Sequence, residues 1–264
     1  MKRSAMLVIG LLSVFITVSL QAAEAPTVDE IIDRANLAAY YAGDDGRAEV
    51  MMTITDAQGR ARKREFVILR RDVADGGQQQ FYVYFKKPSD VRKMVFMVHK
   101  YIDRDDDRWL YLPALDLVKR IAASDKRTSF VGSHFLYEDV SGRSVKEDIH
   151  ELVETTADYY VLKNTPKDPA GVEFSYYTAW VDKQNFMLVK AEYHDKDGRK
   201  YREVESLQIK NVQGFPTVVK ARVRDLASGG ETVSVFKNIK YNIGLKDQIF
   251  TERYLRRPPR EVRK

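Results

Sequence analysis

The sequence predicts a mainly β protein, one antiparallel sandwich or barrel entered through a single helix. Over most of the chain the hydrophobic period is two residues, in runs rich in Val, Tyr, Thr, Ile and Phe. About a dozen such runs recur at even spacing, which argues for one domain and not two. The connections between them are short, as antiparallel neighbours allow, whereas parallel pairs need long crossovers.

In chain order, the first segment is an address. Lys2 and Arg3 precede 17 uncharged residues, Ser4 to Leu20, and then the small residues of Gln21-Ala22-Ala23-Glu24-Ala25. This is the layout of a secretory signal peptide over residues 1–23, cut after Ala22 or Ala23. A 17-residue run is near the lower limit for spanning a bilayer, so an uncleaved anchor is the alternative; the small residues after the run favour cleavage. Losing Lys2 and Arg3 lowers the net charge from +6 to +4. The chain has no cysteine, which excludes disulfides, thiolate zinc sites, a cysteine nucleophile and a lipid-modified N-terminal cysteine. An exported chain that folds without disulfides suits a bacterial periplasm.

From Thr27 the pattern is helical for about four turns. Thr27 and Glu30 form a capping box, Val28, Ile31, Ile32, Ala35 and Ala39 mark one face, and Gly43 ends it. After Gly46 the period becomes two: Val50, Met52 and Ile54 alternate with Met51, Thr53 and Thr55. Strands are predicted at 61–71, 78–87, 93–102 and 108–112, then at 148–155, 158–164, 172–183, 186–195, 199–211, 216–226 and 231–241. Turn clusters such as Asp195-Lys196-Asp197-Gly198 separate them. Residues 113–143 interrupt the pattern as an insertion with its own aromatics, of the kind that forms lids or binding loops. Phe66-Val67-Ile68-Leu69, Phe81-Tyr82-Val83-Tyr84-Phe85 and Met94-Val95-Phe96-Met97-Val98 are apolar on both faces. Both faces are then covered, or one lines an apolar cavity.

Catalytic signatures are scarce. The chain contains no G-x-S-x-G elbow, Walker loop or H-E-x-x-H pair. His99, His134, His150 and His194 fall on separate elements without ligand spacing. Asp103-Arg104-Asp105-Asp106-Asp107 superficially resembles a calcium loop but lacks its glycine and bidentate glutamate, and reads as a charged hairpin turn. Glu138-Asp139 and Glu147-Asp148 are adjacent carboxylates, which on a strand point opposite ways. A charge of +4 without a basic stripe, on an exported chain, argues against nucleic acid. Residues 253–264 hold six basic side chains and one acid around Pro258-Pro259. They are read as a basic C-terminal tail, either a disordered solubilising extension or a segment for transient contact with an anionic membrane surface.

Three strings go further. Trp109-Leu110-Tyr111-Leu112-Pro113-Ala114-Leu115, Val118-Lys119-Arg120-Ile121 and Gly132-Ser133-His134-Phe135-Leu136-Tyr137-Glu138-Asp139 resemble the outer-membrane lipoprotein-sorting-like family, periplasmic relatives of the LolA and LolB lipoprotein carriers. Members usually carry Asp where His134 stands and often Ser where Leu136 stands. The resemblance covers the mature chain and implies an incomplete antiparallel β-barrel, LolA-like, with an N-terminal helix and a helical lid on its concave side. The expected organisation is a signal peptide at 1–23, one half-barrel domain at 24–252 with its lid insertion at 113–143, and the tail at 253–264.

The family's function is then expected here: a non-enzymatic periplasmic carrier, without cofactor or metal, that shelters the acyl chains of a lipid or acylated lipoprotein on the way to the outer membrane. Several members of this subfamily look to be companions of inner-membrane RND/MMPL-type transporters, and the alternative is an adaptor docking on such a transporter through the basic tail. The candidate cavity-lining residues are Met52, Ile54, Phe66, Ile68, Val83, Phe85, Phe96, Trp109, Tyr177 and Trp180. The lid candidates are Phe130, Gly132, Ser133, Phe135, Leu136, Tyr137, Glu138 and Asp139. A one-residue slip in register would move a whole set to the other face.

Overall fold

Helix α1 (Val28–Tyr40) starts where the sequence sets its cap: the Thr27 hydroxyl accepts from the Glu30 amide at 3.3 Å, and the Glu30 carboxylate accepts from the Thr27 amide at 2.7 Å. This computed structural model describes residues 25–74 and 76–263, so the expected signal peptide lies outside the described residues. The last turn of α1 has no basic residue of its own. Arg70 supplies the charge from below, donating to the carbonyl of Tyr40, the last helical residue, and to those of Ala42 and Gly43 just beyond it. Arg70→Met is expected to fray this end of α1 and cost about 2 kcal/mol, measured as a lowered urea midpoint.

Thirteen strands follow: β1 (Asp45–Thr55), β2 (Ala61–Asp72), β3 (Gln79–Lys87), β4 (Val95–Lys100), β5 (Asp107–Leu112), β6 (Leu117–Ile121), β7 (Asp148–Thr155), β8 (Tyr159–Pro166), β9 (Tyr176–Asp182), β10 (Leu188–His194), β11 (Lys200–Val212), β12 (Phe215–Asp225) and β13 (Gly230–Tyr241). They form one antiparallel sheet in the order β6-β5-β4-β3-β2-β1-β13-β12-β11-β10-β9-β8-β7. Each strand thus lies beside its neighbour in sequence, except at two places. The first strand pairs with the last in the middle of the sheet, with Met52 opposite Ser234. The sheet is left unclosed between β6 and β7, its two edges. This is the mainly β, incomplete barrel expected.

Residues 122–147 carry the chain from one edge to the other. They contain a 3-10 turn (Ala123–Asp125), helix α2 (Tyr137–Ser141) and a second 3-10 turn (Val145–Glu147). The insertion is therefore shorter than the 113–143 expected at its start, because Leu117–Ile121 pairs with β5 as the edge strand β6. Lys119 and Arg120 disguised it: an edge strand tolerates charge that a central strand does not.

The two-sided apolar strands have covers on both faces. On the inner face, Phe66, Val83, Phe85 and Phe96 pack with Phe130 and Tyr137 from the insertion, while α1 lays Ile31 on Leu162, Ala179 and Val181. On the outer face, the alternate residues Val67, Leu69, Tyr82, Val95 and Met97 pack with Leu245, Ile249, Phe250, Leu255 and Val262. The expected tail is thus part of the fold: α3 (Arg253–Arg256) and α4 (Arg260–Arg263) flank Pro258-Pro259 and bury Leu255 and Val262 completely. The Tyr82 hydroxyl, donating to the Tyr254 carbonyl at 2.7 Å, fixes this segment to the sheet. Two well-spaced apolar residues among arginines were enough to hold what charge alone makes look like a loose end. Among the described residues, no helix is long and apolar enough to cross a membrane.

Candidate functional site

Between the end of α1, the middle of the sheet and the insertion lies a cavity of about 280 Å³. Its floor is the inner face of the central strands: Val50 and Met52 from β1, Phe66 and Ile68 from β2, Phe81 and Val83 from β3, Val218 from β12 and Phe236 from β13. Ala38, Ala39 and Ala42 at the end of α1 form one wall; their small side chains leave the space a larger residue would fill. Phe130, Phe135, Asp139 and Val140 close the top. The lining is largely hydrocarbon, with hydroxyls from Thr217, Ser234 and Tyr241 and the charged side chains of Arg47, Arg70 and Asp139.

The lid is seated by an aromatic plug and an ionic anchor. Phe130 sits at the centre of the plug, 5.5 Å from the Phe96 ring, 5.8 Å from Phe85, 6.2 Å from Phe66 and 5.7 Å from Tyr137. The chain is brought back over it by a tight reversal in which Val131 and Gly132 both have left-handed φ, 47° and 74°. Ser133 locks the reversal, its hydroxyl accepting from the Phe135 amide at 3.1 Å, and the Phe130 amide donates to the Phe135 carbonyl at 2.8 Å. His134 reaches across to β13, where the Thr232 hydroxyl accepts its backbone amide at 3.0 Å and its Nδ1 lies 2.8 Å from the same oxygen. Leu136 opens α2, its amide donating to the Asp139 carboxylate at 2.7 Å.

The ionic anchor centres on Glu138, which is buried with Arg127 at 2.5 Å, Arg143 at 3.3 Å and Lys126 at 3.6 Å. Arg143 also clamps Asp148 at the start of β7 at 2.9 Å, and Arg127 reaches Glu173 at 2.7 Å. Asp139 pairs with Arg202 of β11 at 2.5 Å. Burial alone would raise the Glu138 carboxyl, but the cations of Arg127, Arg143 and Lys126 outweigh it and hold it below the usual carboxylate range. Glu173 is likewise opposed by burial but pulled down to about 2 by its bonds with Arg127. Lys100, buried beneath the lid with its ammonium donating to the Ser141 carbonyl at 2.7 Å, is pushed down to about 8 by desolvation.

Four nominated lining residues, Met52, Phe66, Ile68 and Val83, stand on the cavity wall. Ile54, Phe85 and Phe96 share the same face but belong to the core cluster around Phe130 and Tyr137. Trp109 does not face the cavity. It lies on the outer face beside His99, with Arg120 over its ring, because Leu110 takes the inner position on β5. Tyr177 is on the inner face but remote, stacked on Tyr193 at 4.9 Å and donating to Asp148 at 3.0 Å. Trp180 has the parity opposite to Ala179 and Val181 and carries Lys190 over its ring at 4.0 Å. Among the lid residues, Phe130, Phe135 and Asp139 line the cavity directly, and Tyr137 and Glu138 support them from behind. The alanines of α1 and Val218, Phe236 and Tyr241 were missed; the alanine spacing of the helix was their available signal. Asp103–Asp107 forms the turn between β4 and β5, where Arg104 and Arg120 both pair with Asp107.

A protein-family model described as "Uncharacterized protein" matches residues 77–257. Among solved structures, the chain is similar to a DUF1329 family protein from Desulfovibrio piger (29% identity, TM-score 0.78, 86% of this chain and 97% of that one). It is also similar to a domain from Vibrio parahaemolyticus named for outer membrane lipoprotein sorting (25% identity, TM-score 0.77, covering 87% and 96%). A LolA superfamily protein from Nitrosomonas europaea shares the fold (22% identity, TM-score 0.67, covering 87% and 100%). No curated protein matches the sequence.

Proposed function

We propose, from the family model matched over residues 77–257 and the likeness to a domain named for outer membrane lipoprotein sorting, that the chain is a periplasmic carrier of acylated cargo of the outer-membrane lipoprotein-sorting-like kind. The observation that supports this reading is the apolar cavity closed by Phe130 and Phe135. Hydrocarbon needs no catalyst to cross an aqueous compartment, only a place that excludes water. Each buried methylene is worth about 0.8 kcal/mol, so a chain of about sixteen carbons gains on the order of 10 kcal/mol from such shelter. In this reading Met52, Phe66, Ile68 and Val83 contact the chain, Phe130 and Phe135 retain it, and Glu138 and Asp139 fasten the lid. The cargo is a lipid or the lipid anchor of a lipoprotein, moved toward the outer membrane and handed over by an inner-membrane RND/MMPL-type transporter.

Two measurements test the proposal. Protein purified from its native host should yield an acylated compound on extraction and mass spectrometry, and empty protein should take up a fluorescent fatty acid. Ile68→Trp, which fills the cavity from its floor, is expected to weaken that uptake at least tenfold while circular dichroism stays unchanged. Empty native protein together with no uptake in vitro would sink the carrier reading and leave the adaptor reading, for which the exposed arginines of the C-terminal segment speak.

A further inference from the structure

The hairpin between β5 and β6 ends in an unusual tip. Pro113-Ala114-Leu115 forms one 3-10 turn and Asp116 reverses the chain with φ 44°. Leu115 is 71% exposed, more than any other large apolar side chain among the described residues, and Leu117 beyond the turn is 45% exposed. Nothing in the inner cavity or the lid accounts for leucines held out into water.

The tip is pinned. The Tyr111 hydroxyl donates to the Asp116 carboxylate at 3.2 Å. Arg256 of α3 donates through Nε to the same oxygen at 2.9 Å and through Nη2 to the Asp116 backbone carbonyl at 3.2 Å. These bonds tie the tip to Arg256 of the C-terminal segment, which is in turn fixed to the sheet by the fully buried Leu255 and Val262. Arg253, Arg256, Arg257, Arg260 and Arg263 are all exposed. Of the acids nearby, Asp116 pairs with Arg256 at 2.9 Å and Glu261 with Arg260 at 3.1 Å, and Glu252 at the start of α3 is exposed among five exposed arginines.

From this juxtaposition we infer that the β5–β6 tip and the arginines of α3 and α4 form a docking surface for an anionic phospholipid bilayer. Leu115 and Leu117 enter the boundary between headgroups and acyl chains, and the arginines meet the phosphates. Apolar side chains flanked by cations are the composition that favours an interfacial position, and the charge is complementary to an anionic leaflet. A protein partner would need a pocket made for a two-leucine projection, whereas a fluid bilayer accepts one without a preformed cavity. The inference stands apart from the carrier reading, because neither the tip nor the arginines line the cargo cavity.

The test is co-sedimentation of the mature chain with vesicles of phosphatidylcholine alone and of phosphatidylcholine with one-quarter phosphatidylglycerol. Binding to the anionic vesicles, weakened by salt, is expected. Leu115→Asp should lower the partition coefficient about tenfold, and Arg257→Glu about fivefold or more, with thermal melting unchanged in both. Equal binding of both variants and the parent chain, or no preference for anionic vesicles, would overturn the inference. So would capture of the tip by a purified acidic protein without vesicle binding. Fluorescent fatty acid uptake is measured on the same samples: its loss in the parent chain would count against the carrier alone, and its retention in Leu115→Asp is expected.

Discussion

Phe130→Ala is expected to destabilise the protein by about 3–5 kcal/mol and at the same time to lengthen the chain it can hold. The first effect follows from position: Phe130 is 2% exposed and touches the rings of Phe66, Phe85, Phe96 and Tyr137. Truncation removes the central ring of that cluster and leaves a void the neighbours can only partly refill. The second follows from adjacency: Phe130 is also a wall of the 280 Å³ cavity, so its removal joins new apolar volume to the existing space. Urea denaturation reads the loss. Binding of fatty acids of increasing length reads the gain, with the optimum moving to longer chains. A destabilised variant whose chain-length preference is unaltered would assign Phe130 to the core alone and not to the cargo space.

Replacement of Glu138 should act at a comparable scale. Glu138→Ala leaves Arg127, Arg143 and Lys126 facing one another around a buried vacancy in charge, and breaking one partner of such a cluster costs about 3–5 kcal/mol. The pH dependence has a definite sign. The folded-state affinity of Glu138 for protons lies below the unfolded value, and that of Glu173 lies at about 2. As pH falls through about 4, the unfolded chain binds protons before the folded chain does. Stability supplied by these carboxylates is therefore full above about pH 5 and is lost between about pH 4 and pH 2. Urea midpoints measured from pH 7 to pH 2.5 should fall less steeply in Glu138→Gln than in the parent chain; parallel curves would remove Glu138 from the acid response.

Much of the fold is legible in the residues because the hydrophobic period of two runs nearly unbroken and the turns are marked by Gly, Asn and Asp. What escaped is instructive. The edge strand β6 was hidden because Lys119 and Arg120 occupy a position where one side of the backbone has no strand to pair with. The C-terminal segment was hidden because its fixing residues, Leu255 and Val262, are isolated among arginines, and only the sheet's outer face reveals what they fit. The cavity was half legible. On β1, β2 and β3 the parity was right, so Met52, Phe66, Ile68 and Val83 fall on its wall. Trp109 and Trp180 fall on the other face, because their neighbours Leu110 and Ala179 hold the inner positions. Of the ionic anchor only the acids were legible, Glu138 and Asp139 among the lid candidates; their partners Arg127, Arg143 and Arg202 become neighbours only once the insertion crosses the sheet.

That crossing has a mechanical corollary. The insertion leaves from β6 and arrives at β7, the two opposite margins of the sheet, so it is stitched down at both ends like the handle of a basket. A flap with one hinge swings clear; a handle can only bow upward or be slackened by bringing its two attachment points together. Any excursion that frees Phe130 must therefore be shared with the rims of the sheet, and stiffening either rim should slow entry to the cavity as surely as changing the plug itself.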